Sequence, residues 1–257
     1  MSGLRDSEHL KLQLQDIQLA TNNFKTCIGK GGYGWVYKGQ LHIAGKPTTV
    51  AVKRLNKHFG QGLKEFLTEI YLLTGQNHPN LISLLGYCDD GKEKIIVYEY
   101  AEHGSLDRYL NNTNRTSLTW RERLRICIEV ARGLDHLHNH AGTHQAIIHR
   151  DIKSSNILLD ENWVAKISDL GLSKLSLAGL DRSAVISNPC GTLEYCEPEY
   201  IITGIVRKEL MYMLLGWYCL KFCVGCCVPS DIMIMVSFYQ PHWRKTTVGN
   251  LLNIIII

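Results

Sequence analysis

The sequence predicts an α+β fold of two lobes, a small antiparallel sheet with one helix followed by a mainly helical lobe that is incomplete here. Three changes of hydrophobic period predict it. Up to about Leu55 short alternating runs are broken by glycines, as in "KGGYGWVYKGQL" and "TTVAVKRL", the pattern of strands joined by tight turns. Over residues 62 to 74, Leu63, Phe66, Leu67, Ile70 and Leu73 recur at spacings of three and four, which makes one amphipathic helix against that sheet. From Thr119 onward, Leu124, Ile128, Ala131, Leu134 and Leu137 mark the face of a second, longer helix over 120 to 139.

Between the two helices, "LISLLGYC" and "KIIVYEY" return to strand character. Thr119 and Glu122 have the spacing of a capping box at the start of the long helix. The expected organisation is an N-terminal segment 1–23, a small lobe 24–100, a partial helical lobe 101–209 and an aberrant tail 210–257. Of 257 residues 45% are apolar and 20% charged, ordinary for a globular chain. The net charge of +4 comes from scattered Lys and Arg, so no nucleic-acid partner is expected. The start, "MSGLRDSEHLKLQLQ", lacks the apolar run of a secretory signal, which places the chain as written in the cytoplasm. Its nine cysteines are accordingly read as thiols.

Gly29 to Gly34 reads "GKGGYG", a G-x-G-x-x-G pattern that suits a structural hairpin as well as a phosphate-covering loop. It runs into "WVYKG", a strand, where a dinucleotide fold would run into a helix. That context favours a hairpin whose backbone N–H groups cover phosphates. Lys53 follows Gly34 by nineteen residues in "VAVK". To act on phosphate oxygens it needs a carboxylate on the next helix; Glu65 and Glu69 lie there four residues apart, and Glu69, deeper in the apolar stretch, is the expected partner. "HRDIKSSN", His149 to Asn156, is the most specific motif. Asp151 can accept the proton of an attacking hydroxyl, Lys153 can neutralise a transferring phosphoryl group, and Asn156 can hold a metal ion. Thirteen residues on, "DLG" supplies Asp169 as a carboxylate for Mg²⁺, an oxygen-seeking ion that keeps phosphates as co-ligands. The histidines 136, 138 and 140 leave a helix in diverging directions, and Cys219, Cys223, Cys226 and Cys227 have loose spacing with no second set, so neither run reads as a metal site.

Together these motifs resemble the eukaryotic protein kinase family over Phe24 to about Glu209, and Lys153 within "DIKSSN" is similar to the serine/threonine class. "ATNNF", "LISLLGYC" and "GTHQAIIHRDIKSSNILLDENWVAKISD" resemble plant receptor-like kinases of the malectin-like, FERONIA-type subgroup. The resemblance implies ATP and Mg²⁺ as cofactors, Ser or Thr hydroxyls of a protein substrate as acceptors, and autophosphorylation. It implies that intact relatives are membrane-anchored at the plasma membrane with the kinase domain in the cytoplasm, so that residues 1–23 are juxtamembrane-like. Carried over by position, it makes Tyr98 the gatekeeper. Glu99 and Ala101 offer backbone groups to adenine, Ile28, Val36, Ala51 and Leu158 sandwich the ring, and Gly29, Gly31, Gly34 and Lys53 face the phosphates. Each of these apolar residues is explained equally well as core when taken alone. Arg150 before Asp151 implies an activation segment ordered by phosphate; Ser173, Ser176, Ser183, Ser187 and Thr192 are the available hydroxyls, with Thr192 expected in the substrate-positioning loop.

Departures from the family pattern accompany the match. Leu170 replaces the usual Phe after Asp169, a swap that keeps packing workable. Glu194 stands where a Gly is usual and Glu197 precedes Pro198. After "PEY" the family continues with a buried helix like S-D-V-Y-A-F-G-V-V-L-F-E-V-L-C-G, but this chain has "LMYMLLGWYCLKFCVG" at 210–225. Synonymous codons for that stretch, read with one base added in front, translate to the family helix. Residues from about Leu210 onward are therefore read as an out-of-frame translation. The expected consequences are a weakened helical lobe and a Glu199 deprived of its arginine. The alternative to an active kinase is an impaired fragment that binds nucleotide or acts as a scaffold.

Overall fold

The computed structural model describes residues 7–31, 34–56, 60–110, 118–140, 146–176, 184–192, 198–208 and 211. The expectations placed on Gly32 and Tyr33 of the glycine loop, on His144, Ser183, Glu194, Cys196 and Glu197, and on the tail apart from Met211 lie outside the described residues. Contacts divide the chain into two compact units, Met1–Gly104 with Leu158–Leu172, and Ser105–Ile157 with Ser173–Ile257.

In the first unit five antiparallel strands, β1 (Cys27–Gly31), β2 (Gly34–Ile43), β3 (Lys46–Leu55), β4 (Leu84–Asp90) and β5 (Glu93–Glu99), lie in the order β1-β2-β3-β5-β4. Side chains alternate between the faces along each strand. Val50 and Val52 of β3, with Ile95 and Val97 of β5, are fully buried on one face, where they meet Ile17 of α1 (Leu14–Ala20). The opposite face carries Ala51, Lys53, Ile96 and Tyr98. Helix α2 (Gly60–Leu73) contributes Phe66, Ile70 and Leu73 to the buried interior, and Phe66 meets Tyr87 edge-on at 6.2 Å. Leu63, expected on the inner face of that helix, is 47% exposed, whereas Glu65 and Glu69 are buried. The apolar stripe runs through Phe66 and Ile70, and it carries the two carboxylates inward with it.

β4 starts at Leu84 rather than at the head of "LISLLGYC". Residues 80–82 instead pair with β9 (Ala165–Ile167): Ile82 N donates to Ile167 O and Ile167 N to Asn80 O, both at 2.9 Å. Together with β6 (Gly104–Ser105), β8 (Ile157–Leu159) and β9 form a three-stranded sheet. Residues 158–172 thus return to the first unit, and the N-terminal segment packs there too, so that unit reaches beyond the span 24–100.

The second unit is built on α3 (Trp120–Asp135), which opens with the capping box of Thr119 and Glu122 and ends in a π-type turn, His136–His140. Its buried side is Ile126, Cys127, Val130 and Leu134, continued by Leu137. Leu124, Ile128 and Ala131, expected at the centre of that face, flank it half-buried. β7 (Ile147–Ile148) pairs with β10 (Lys174–Leu175), and β11 (Ala184–Ile186) pairs with β12 (Ile205–Arg207) just after α4 (Pro198–Thr203). Among the described residues no helix is long and apolar enough to cross a membrane.

Candidate active site

Strand register sets the first cluster. Gly29 pairs with Val36, Val36 with Lys53, and Lys53 with Ile96, so one line of residues crosses four strands. The Nζ of Lys53 lies 3.1 Å from Glu69 Oε2 and 2.6 Å from Asp169 Oδ1. Burial disfavours the ammonium, but the carboxylates of Asp169 and Glu69 outweigh it and raise the Lys53 pKa. Burial also pushes the Glu69 carboxyl up, against the pull of Lys53. The phenol of Tyr98 is held well above its ordinary pKa by burial and by Glu69 beside it. Sequence spacing pointed to Glu69 as the partner of Lys53. The second pairing, with Asp169 116 residues away, has no local signal.

Asp169 adopts φ 64°, a left-handed backbone that non-glycine residues enter at a cost and that clusters at functional sites. Gly171 follows, where a Cβ would stand 3.1 Å from Glu65 Cβ; the close approach of this segment to α2 leaves little room for a side chain. Of the loop glycines, Gly34 is demanded by packing, since a Cβ there would lie 2.2 Å from Arg54 O. At Gly31, among the described residues and apart from its chain neighbours, nothing comes within 4 Å of that position, so packing within them does not call for glycine. Ile28, Val36, Ala51 and Leu158 are half-buried and Ala101 buried, in contrast to the fully buried Val50 and Val52 one position away. Glu99 is engaged within its own unit: its Oε1 accepts from Ser83 N and Oγ at 2.8 Å and pairs with Lys166 at 3.2 Å.

The second cluster belongs to the loop after β7. Asn156 Nδ2 donates to Asp151 O at 2.8 Å and to Asp151 Oδ2 at 3.1 Å. Lys153 Nζ lies 2.8 Å from Asp151 Oδ2. Thr192 binds the other carboxylate oxygen, Oδ1, through its N–H at 3.1 Å and its Oγ1 at 3.0 Å, and Lys153 Nζ donates to the same Oγ1 at 2.9 Å. The carboxylate is thereby fixed from both sides. The motif makes Asp151, Lys153 and Asn156 legible as a set; Thr192 is expected in the substrate-positioning loop, and the contact of its hydroxyl with Asp151 has no sequence signal.

Arg150, with φ 70°, turns away from this carboxylate. Its Nη1 donates to Ser187 Oγ at 2.8 Å and to Tyr200 Oη at 3.0 Å, and Lys174 Nζ donates to Ser187 Oγ at 2.9 Å. Ser187 therefore sits between two cations. Ser173 and Ser176 are buried, at 3% and 1% exposure.

Asp169 presents a hard carboxylate oxygen in the first cluster, and Asn156, in the second, gives its amide nitrogen to Asp151; carboxylate and amide carbonyl oxygens are the donor types that hard divalent cations take.

A family model described as "Protein tyrosine and serine/threonine kinase" matches residues 22–209. The chain belongs to this protein kinase family. It is similar to receptor-like protein kinases of Arabidopsis thaliana. HERK 1 is 45% identical over 252 residues, 95% of this chain and 30% of that protein. FERONIA is 48% identical over 187 residues, 72% of this chain and 20% of that protein, and ANXUR2 is 47% identical over 192 residues, 74% of this chain and 22% of that protein. The chain thus spans less than a third of the length of these curated relatives. Membership in the kinase family carries with it the general use of ATP and a divalent cation.

Proposed function

We propose that this kinase chain transfers the γ-phosphoryl group of ATP to Ser or Thr hydroxyls of proteins, itself included, on the cytoplasmic side of a plasma-membrane receptor. The observation that carries the reading is the fixed carboxylate of Asp151, held by Asn156 and Thr192 with Lys153 against it. Asp151 accepts the proton as the substrate oxygen bonds to the γ-phosphorus; the bond from that phosphorus to the bridging oxygen breaks, and ADP leaves. Lys153 offsets the charge that builds on the transferring group. Lys53, oriented by Glu69, holds the non-transferred phosphates, and Gly29, Gly31 and Gly34 present backbone N–H groups to them. Ile28, Val36, Ala51 and Leu158 enclose the adenine ring, and Glu99 and Ala101 give it backbone partners. Asp169 and Asn156 are the residues that would offer oxygens to Mg²⁺, which would offset phosphate charge when bound. A phosphate on Ser187 would meet Arg150 and Lys174 at once, two charge-assisted partners already in reach.

The test is phosphate incorporation from MgATP, with the modified residues mapped by mass spectrometry, in the chain as written and in a frame-restored version. Asp151→Asn is expected to lower incorporation by about 100-fold or more, and Ser187 is expected among the modified residues. Equal incorporation by Asp151→Asn and the parent would exclude the assigned mechanism.

A further inference from the structure

The segment before Phe24 lies almost wholly outside the matched kinase region, which starts at residue 22, yet it is fastened to the sheet at successive points. Leu12 N donates to Tyr87 O at 2.8 Å, and Lys11 bridges Tyr87 in parallel. This covers the outer edge of β4, an edge strand whose backbone groups would otherwise lie open. Gly86 permits the approach, since a Cβ there would stand 2.6 Å from Leu12 Cδ1 and 2.9 Å from Leu10 O. Ile17, at 0% exposure, then sits among Leu41, Val50, Val52, Cys88, Ile95 and Val97, in the centre of the core face.

The segment ends in a constrained turn. Asn22, Asn23 and Phe24 have φ of 47°, 54° and 60°. Asn tolerates this conformation, but for Phe it is strained and needs its surroundings to hold it. Thr21, 2% exposed, does so: its Oγ1 donates to Ile17 O at 2.7 Å and accepts from Phe24 N at 3.1 Å, while Asn23 N donates to Gln18 O at 2.7 Å. Phe24 stands edge-on to Tyr37 at 5.3 Å and lies beneath the Arg54 guanidinium, 4.3 Å from its ring centroid. Glu93 grips that guanidinium with two bonds of 2.8 Å. Arg54 is the neighbour of Lys53 on β3.

We propose that residues 7–24 are a strap, a conformational device that sets the rigidity of the sheet and, through Phe24 and Arg54, the seating of Lys53 and the affinity for MgATP. Release of the strap frees the strained turn, uncovers the edge of β4 and empties the centre of the core face, so anything that pulls on residue 7 acts on the strand that carries Lys53. The effect on MgATP rests on the proposed function; the effect on the sheet does not.

Backbone hydrogen exchange by mass spectrometry and calorimetric MgATP binding, both on the full chain, test the two parts separately. Phe24→Ala, a half-buried site, should speed exchange in β2 and β3 by about tenfold and weaken MgATP binding by a few-fold. Ile17→Ala should speed exchange in β3 and β5, and Leu19→Ala, at a position 81% exposed, should change neither readout. Parental exchange in Phe24→Ala overturns the strap, even where Ile17→Ala does not fold. Faster exchange with unaltered MgATP affinity overturns the coupling to Lys53. Faster exchange in a chain that binds no MgATP in any form upholds the strap's hold on the sheet and counts against the proposed function instead.

Discussion

Lys53 stands between two carboxylates, one of which, Glu69, is 1% exposed. Removing the ammonium leaves Glu69 and Asp169 together without the cation that offsets both. Lys53→Met should therefore cost about 3–5 kcal/mol of folding stability near pH 8, the range for a buried charge stripped of its partner. The cost should be smaller at pH 5. Burial already raises the Glu69 pKa, and without Lys53 a proton on Glu69 is the remaining way to neutralise it, so the folded variant gains a proton that the wild type does not need. Urea midpoints of both proteins at the two pH values check this; equal midpoints at pH 8 would sink it. At this scale the sequence was readable where roles are spaced locally. Asp151, Lys153 and Asn156 lie within six residues, and Glu69 lies on a helix whose apolar period showed its depth. Lys53 with Asp169, Thr192 with Asp151 and Ser187 with Lys174 are tertiary pairings, and no spacing along the chain encodes which distant side chain arrives.

Among the elements, the start of α3 was legible because a capping box satisfies orphan N–H groups with residues three apart. Its buried face was misplaced. Leu124 and Ile128 carry the stronger apolar signal, but the tertiary neighbours bury Cys127 and Val130 instead. α1 gave no signal at all, since seven residues with Ile17 alone buried are too short to show a period. The π-type turn that ends α3 places His138 at 4% exposure. Burial, with Lys208 adding to it and Asp135 opposing, lowers its pKa from 6.5 to about 3, and His149 contributes in the same direction as Lys208. The folded state thus keeps His138 neutral where the unfolded chain takes up a proton. Stability from this group is complete above pH 6.5 and declines as the pH falls toward 3. By pH 5 the decline is about 2 kcal/mol. Denaturation followed by circular dichroism between pH 7.5 and 5 should show it, and His138→Gln should flatten the profile over that interval; an unchanged slope in the variant would assign the acid sensitivity elsewhere.

For the whole molecule, the order of sheet, helix and helical region was readable because the hydrophobic period changes along the chain. The return of residues 158–172 to the first unit was not, because a period reports local structure and carries no record of where a segment packs. The kinase match ends at residue 209, whereas the alignment with HERK 1 covers 95% of the chain. The alignment with HERK 1 therefore continues into residues 210–257, the stretch expected to be out of frame, where the family match does not reach. Glu199, expected to lose its arginine, is exposed, so its charge is solvated and its share of any loss is small. The greater expected loss is of apolar burial. In the second unit Ile186, Ile201 and Ile202 are 64%, 41% and 83% exposed, and the out-of-frame expectation holds that a family helix with apolar faces is missing after "PEY". Burying one such side chain contributes about 1.5–3 kcal/mol, against a total domain stability of about 5–15 kcal/mol, so the absence of several decides whether the unit folds cooperatively. The chain as written should melt broadly and associate through its exposed apolar surface. A version with one base restored before codon 210 should melt sharply, gain stability from MgATP and incorporate more phosphate. Sequencing of the locus and transcript across codons 205 to 215 separates the two origins of the shift: an extra base there marks an error in the reading, and a clean read in the present frame makes this a true truncated product. A sharp melt and equal phosphate incorporation for the chain as written would show that residues 210–257 serve the fold as they stand.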